Sequence, residues 1–233
     1  MTFTSFKNAR IVRSGWLEEG GRRLDCNPYM SGALEARDAL KRLKTEKLSY
    51  LTERIFHAGR EGRTWVDDAQ NGTPFLGSSD IRSADLSALP LIANRQVERN
   101  PLFKLEECWT LITRSGTIGR MAYVRPDMAG IACSEHVLRV VPNAERIPPG
   151  YLFAFLSSRY GVPLVVSGTY GAIIQHIEPH HLVGIDIPRF DSSVETEIAT
   201  CINRAATARS EAARLKRLGV ERFLAEAGLQ DIS

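Results

Sequence analysis

One pattern dominates the chain from Asp191 onward. Val194, Ile198, Cys201, Ala205, Ala208, Ala212 and Leu215 follow one another in alternating steps of four and three. Those steps put side chains on one stripe of an α-helix, and a stripe sustained for about three heptads is the a/d seam of a coiled coil. Asp191 or Ser192 is placed to cap the start, with Glu195 as the partner of a capping box. Gly219 is where the helix is expected to break or kink. Residues 191–218 in one helix span about 42 Å at 1.5 Å per residue. The seam is mostly alanine, so it brings helices close while burying little area per residue, and it needs a sizeable partner surface. Arg204, Arg209, Glu211, Arg214, Lys216 and Arg217 occupy the outer positions. A chain carrying such a rod folds as a globular body with a helical handle.

Composition sets the class of that body. Of 233 residues, 43% are hydrophobic and 24% charged, an ordinary globular balance that excludes collagen-like, low-complexity and disulfide-scaffold chains. The four cysteines form no C-x-x-C pair, which suits a reducing cytoplasm. Met1–Arg10 has no apolar core of a signal peptide. The longest run free of Asp, Glu, Lys and Arg, Tyr160–Ile177, carries Pro163, Gln175, His176 and three glycines, so it is a poor membrane span. A cytoplasmic protein is expected. The net charge of +3 permits a nucleic-acid partner without demanding one. Residues 1–130 hold 20 Lys and Arg against 16 Asp and Glu, and residues 131–233 hold 10 against 11, so the positive excess lies in the first part.

The expected architecture is a mixed α/β (α+β) body followed by the long helix. Residues 1–188 form the globular domain, with a helical portion over 31–56 and a mixed body over 59–188; residues 189–233 form the spacer and dimerisation helix. The helical portion rests on Ser31 as a cap and on Leu40, Leu43, Lys47, Leu48, Leu51 and Ile55 at helical steps. Within the body, strands are expected at Trp109–Thr113, Met121–Val124, Val137–Val141, Ala172–Ile177 and Gly184–Ile187. A helix is expected over Tyr151–Arg159, entered through Pro148-Pro149.

Several short motifs carry candidate chemistry. Thr113–Arg120 is a Gly-x-x-Gly turn between two strands, flanked by arginines. It can offer amides and cations to a phosphate, or be a plain hairpin turn. Its spacing is not that of a P-loop. Cys133-x2-His136 and His176-x3-His180 are the one metal-like constellation, and their spacing is not that of a zinc finger. Asn27-Pro28-Tyr29 partly matches the N-P-P-[YF] site of adenine methyltransferases but reads as a turn before a helix. Tyr170–Ile177 places an aromatic, Gln175 and His176 at the end of an apolar strand, where they either read bases or form the rim of a core strand. No catalytic residue, metal or cofactor is expected.

Five of these segments together resemble the target recognition domain in specificity subunits of type I restriction–modification systems. The resemblance is carried by Gly72–Leu76 with Asp80-Ile81, by the Thr113–Arg120 turn, by Pro149–Ser158, by Tyr170–Ile177 with Pro179, His181-Leu182, Ile185 and Ile187-Pro188, and by the helix with Ala205, Arg209 and Glu211. It covers about residues 60–218 in order. It implies a reader without chemistry of its own, in which each domain reads a short half-site of duplex DNA. It further implies that the helices space two such domains and dock methyltransferase subunits, and that a motor–nuclease subunit joins for cleavage. Such subunits commonly carry two domains and two helices, and this sequence shows one of each. The Val194–Leu215 seam is therefore expected to pair with a second copy, antiparallel and two-fold, or with a separate half-subunit.

By residue type and loop position, Arg114, Ser115, Thr117, Arg120, Tyr170, Gln175 and His176 are the candidate DNA-reading residues, and Arg60, Arg63 and Arg82 the candidate phosphate contacts. The competing expectation is a small enzyme using Thr113–Arg120 as a phosphate loop and His176 with His180 as acid–base groups or metal ligands. A third is a recognition subunit of another methyltransferase or phage-defence complex.

Overall fold

The structure is a computed structural model that describes residues 13–19, 23–170 and 175–229. In chain order its elements are α1 (Ser14–Glu19), α2 (Asn27–Met30), α3 (Ala33–Leu40), β1 (Thr45–Lys47), α4 (Leu48–Leu51), β2 (Thr52–Phe56), β3 (Trp65–Val66), β4 (Gly72–Leu76), β5 (Leu91–Ala93) and α5 (Asn94–Arg99). There follow β6 (Thr110–Thr113), β7 (Met121–Tyr123), β8 (Ala132–Cys133), β9 (Val137–Pro142), α6 (Pro149–Leu156), α7 (Gly161–Val166), α8 (Pro179–Leu182), β10 (Asp186–Pro188) and α9 (Ser192–Ala227). It is the mixed α/β body with short strands and a long C-terminal helix that the sequence led us to expect. Of the expected strand Ala172–Ile177, residues 172–174 lie outside the described residues.

Two four-stranded sheets form the body, in the orders β2-β9-β6-β7 and β3-β5-β4-β8, and β1 pairs with β10 beside them. The first sheet is antiparallel throughout; in the second, β4 and β8 run parallel. Strand β9 is buried along its whole length, as is β6. Alternation explains how. Ile112, Leu138 and Val140 face a core shared with α3, α6 and α7. Leu111, Val137 and Val141 face a second core with Leu76, Ile81, Trp109 and Met128. A sheet buried on both faces reads as continuous apolar runs, which is why these strands were visible in the sequence.

The expected helix over 31–56 is corrected. Helix α3 ends at Leu40, and the chain then forms β1, the single turn α4 and β2. Thr45 to Lys47 pair with Asp186 to Pro188, 139–143 positions apart, and this non-local pairing overrides local periodicity. Leu43, on the expected apolar stripe, is exposed. Ser31 reaches the amide of Ala33 at 3.3 Å, but Gly32, at φ 86°, occupies the cap position.

Helix α9 is longer than expected. It runs 36 residues, about 54 Å at 1.5 Å per residue. Gly219 lies inside it without interrupting it, and the helix stops at Gly228, whose φ of 64° is the left-handed C-terminal turn. The capping box is likewise corrected: Asp191 caps through its carbonyl alone, and the Glu195 carboxylate instead accepts the amide of Phe190 at 2.9 Å.

The helix is tied to the body along one face. Glu195, Ala199, Ala206 and Ala213 are its buried residues. Glu195 takes both ends of the Arg189 guanidinium at 2.8 and 2.9 Å. Gly150 of α6 meets Ala199 so closely that a Cβ would lie 2.7 Å from the Ala199 carbonyl oxygen. Further along, Tyr123 donates to Asn203 at 2.9 Å, Ser210 to Asp127 at 2.6 Å, and Lys216 pairs with Asp85 at 3.3 Å. Beyond Arg217, Leu218, Val220 and Phe223 are exposed. Among the described residues, no helix is long and apolar enough to cross a membrane.

Candidate nucleic-acid interface

The turn between β6 and β7 is shaped by Thr113 and two glycines. The Thr113 hydroxyl donates to the Thr117 carbonyl at 2.5 Å and accepts the Arg120 amide at 3.0 Å, which closes the loop on itself. Gly116 and Gly119 sit at φ 77° and 81°, a region open to glycine at little cost. Gly119 is also crowded, since a Cβ there would meet Val166 at 2.6 Å, so the turn rests on α7. Gly116 faces open space. The amides of Gly116 and Thr117 have no acceptor among the described residues, and the flanking side chains of Thr117 and Arg120 are exposed.

The turn's opening residues are pinned from both sides. The Arg114 amide donates to the His136 carbonyl at 2.8 Å, and the Ile177 amide donates to the Arg114 carbonyl at 3.0 Å. Ser115 and Tyr170 both bridge to His176. The structure thus gathers Arg114, Ser115, Tyr170 and His176 on one surface, with exposed Gln175 beside them.

Two carboxylates organise the side chains there. Glu178 accepts the Arg114 guanidinium and, at 3.1 Å, the Tyr170 hydroxyl, and His57 Nε2 lies 3.8 Å away. Burial works to raise the Glu178 carboxyl, but hydrogen bonding and charge from Arg114 and the Tyr170 hydroxyl outweigh it and hold it below the usual range. Glu135 accepts Arg63 Nη2 at 2.8 Å and faces His136 Nε2 at 3.4 Å. It too is held low against burial, by Arg63. Ser115 Oγ lies 2.6 Å from His136 Nδ1. His57 is held below the ordinary imidazole value by burial and by Arg114. His181 is lowered by burial and by His180, whose ring centroid is 3.9 Å away.

All five histidines of the chain therefore meet around Glu178, Ser115 and Tyr170. His57, Glu135, His136 and Glu178 were not among the residues expected to form the site. Their acidic members are silent in sequence, because the partners Arg63 and Arg114 lie 72 and 64 positions away.

The candidate arginines divide by environment. Arg60 and Arg120 are exposed. Arg63 is half-buried, tied to Glu135 and stacked 4.8 Å from the Phe75 ring, so it positions the Ser134–His136 turn. Arg82 lies apart from the cluster. It lines a groove of about 540 Å³ between the body and α9, with Met121, Phe153, Ala205, Arg209 and Ala212.

No family model matches this chain, and no curated protein matches it. Solved structures share its fold. The HsdS subunit from Thermoanaerobacter tengcongensis aligns over 86% of this chain and 49% of its own, with a TM-score of 0.51 and 15% identity. A structure described as the basis of complex assembly and conformational transition of the type I R-M system aligns over 86% of this chain and 50% of its own, with a TM-score of 0.53 and 12% identity. The chain spans about half the length of each.

Proposed function

We propose that this chain is the sequence-reading subunit of a type I restriction–modification system, and that it reads one half-site of a bipartite duplex DNA target. The observation that carries the reading is the Thr113–Arg120 turn. It offers amides at Gly116 and Thr117 that have no acceptor among the described residues, and exposed Arg120, beside Arg114, Tyr170, Gln175 and His176. Open amides and arginine suit phosphate oxygens; an aromatic, an amide side chain and an imidazole suit base edges. The shared fold with an HsdS subunit agrees with it. On this reading the chain does no chemistry itself, methyltransferase subunits dock on it to modify adenine, and a motor–nuclease subunit completes the complex in the cytoplasm.

Pairing belongs to the same reading. Helix α9 turns Glu195, Ala199, Ala206 and Ala213 to its own body. Of the stripe Val194, Ile198, Cys201, Ala205, Ala208, Ala212 and Leu215, Ile198 packs on the body's core and Ala205 and Ala212 line the groove beside it, while Val194, Cys201, Ala208 and Leu215 are exposed. That stripe, and the bulky Leu218 and Phe223 beyond it, is where a second copy or a separate half-subunit binds. A two-fold pair fixes the distance between half-sites. A stable monomer at micromolar concentration in analytical ultracentrifugation, with no half-subunit partner copurifying, would count against it.

The deciding experiment is methylome sequencing of the host with and without this gene. The reading expects a split adenine mark that disappears with the gene. An unchanged methylome, with duplex DNA left unbound by the purified complex, refutes it.

A further inference from the structure

The surface around the Thr113–Arg120 turn is rich in arginine and poor in free charge. Arg114 is matched to Glu178, and Arg63 to Glu135. Exposed Arg60 and Arg120 form no ion pair among the described residues. Five imidazoles stand nearby, and their hydrogen bonds divide them. His57 Nδ1 accepts the Gly59 amide at 3.1 Å, and His181 Nδ1 accepts the Glu178 amide at 3.0 Å. In a charged ring both nitrogens donate, so a second proton on either residue displaces a bond already made. His176 buries Nδ1 without a partner, so its charged ring would strand a donor there. His136, between β8 and β9, is built differently. Its Nδ1 lies 2.6 Å from Ser115 Oγ and its Nε2 3.4 Å from Glu135 Oε1. A hydroxyl and a carboxylate can both accept, so the doubly protonated ring meets an acceptor at each nitrogen. The His136 side chain is 43% exposed. Glu135 is already balanced by Arg63 at 2.8 Å, so a proton on His136 adds a full positive charge to the surface.

We propose that His136 faces the phosphate backbone of the duplex in its doubly protonated form, so that DNA binding takes up a proton there. This rests on the DNA-reading function proposed above. The ring is part of that surface, because the His136 carbonyl accepts the Arg114 amide at 2.8 Å and Ser115 bridges to His176. Among the charged groups around the ring, the Arg114 guanidinium is turned to Glu178 and the Arg63 guanidinium to Glu135. Arg139 lies beneath, on the carbonyls of Ser134 and Val137, and its charge works against the proton. A phosphate brought close works for it. Binding and protonation therefore favour one another, and by linkage each strengthens the other equally. The charge so gained adds to those of Arg60 and Arg120 along the same strip of backbone.

The test is binding of a mixed-sequence duplex by the full-length chain with its copurifying partners. Fluorescence anisotropy follows it over a range of salt at about pH 6 and about pH 8, the span in which imidazoles titrate. Tighter binding is expected at the lower pH, with a slope of log K against log salt steeper by up to about 0.9, the share of one phosphate. His136→Gln keeps a polar group without the charge. It is expected to show one slope at both pH values and to match wild type at the higher. His180→Gln, which removes an exposed imidazole, is expected to keep the wild-type difference. Calorimetry of the wild type in buffers of unlike ionisation enthalpy reads the proton directly and depends on no variant folding. It should find uptake on binding near neutral pH. No uptake, or wild-type salt slopes that are equal at the two pH values, overturns the proposal and leaves the DNA reading standing. So does a difference that survives His136→Gln or is lost in His180→Gln. Failure of the wild type to bind duplex at low salt and either pH overturns both.

Discussion

Replacing Glu195 by alanine tests how the helix is held to the body. Its carboxylate is 1% exposed and accepts three hydrogen bonds, two from Arg189 and one from the Phe190 amide. Removing one partner of a buried ion pair costs about 3–5 kcal/mol. Arg189 is 19% exposed and keeps Glu46 and the Arg146 carbonyl, so its stranded charge is partly compensated and about 2–4 kcal/mol is expected. For a chain of this length that is a fall in Tm of about 4–16 °C. Thermal and urea unfolding at neutral pH measure it. The pH dependence has a definite sign. Burial raises the Glu195 carboxyl, but Arg189 and the Phe190 amide outweigh burial and hold it below its ordinary 4.5. A lowered carboxyl contributes stability above the unfolded value and loses it as pH falls through the folded value. The gap between wild type and Glu195→Ala is therefore constant at neutral pH and narrows below about pH 4.5. A difference under about 0.5 kcal/mol at neutral pH, well short of a buried pair, would refute the reasoning, as would a gap that widens in acid.

Two further changes separate packing from recognition. Gly150→Ala pushes a Cβ to within 2.7–2.9 Å of the Ala199 backbone. It should cost about 1–3 kcal/mol by overpacking, seen in urea unfolding, despite alanine's better helix propensity. Arg120→Ala should leave the melting temperature within about 2 °C of wild type, as for a surface change, and lower the salt slope of duplex binding by about 0.9.

The sequence reveals the elements whose reasons are local. Strands β6 and β9 appear as apolar runs, and α9 as a heptad, because each pattern is completed within its own segment. The β1–α4–β2 stretch does not, since β1 is decided by β10, 139–143 positions away, and β2 by β9. Helix α9 shows a finer limit. Alanines stand side by side at 205-206 and 212-213, so two neighbouring stripes carry nearly the same signal. The stripe that packs on the body begins at Glu195, a charged residue that apolar periodicity passes over, and it is chosen because Arg189 waits beside it. The site divides in the same way. Arg114 and Tyr170 are visible by type and by their place at turns. Glu178 and Glu135, which orient them and their neighbours, become meaningful only when distant strands bring Arg114 and Arg63 alongside.

Arg139 links the core to that site. It is 0% exposed and sits in β9, on the face that carries Val137 and Val141. Among the described residues it forms no ion pair, and Glu135 is bonded to Arg63. Instead its guanidinium donates to the carbonyls of Ser134 at 2.8 Å, Val137 at 2.7 Å and Cys133. Those carbonyls border the turn that presents Glu135 and His136. Burial lowers the Arg139 pKa, the sign of a cation held at a desolvation cost. Only a planar fork can reach three carbonyls at once, so charge and geometry can be separated by substitution. Arg139→Met removes the buried charge and its desolvation cost but leaves three carbonyls without that donor, so the two changes offset only in part. Arg139→Lys keeps the charge but loses the fork, so a single ammonium on a flexible stem cannot be aimed at all three carbonyls. The lysine variant should therefore be less stable than the methionine variant by about 2–4 kcal/mol in urea unfolding. Both should speed amide exchange across residues 134–137 and weaken duplex binding. A lysine variant as stable as wild type, with methionine the worse of the two, would mean that Arg139 is held by its charge, and the geometric account of the turn would fall.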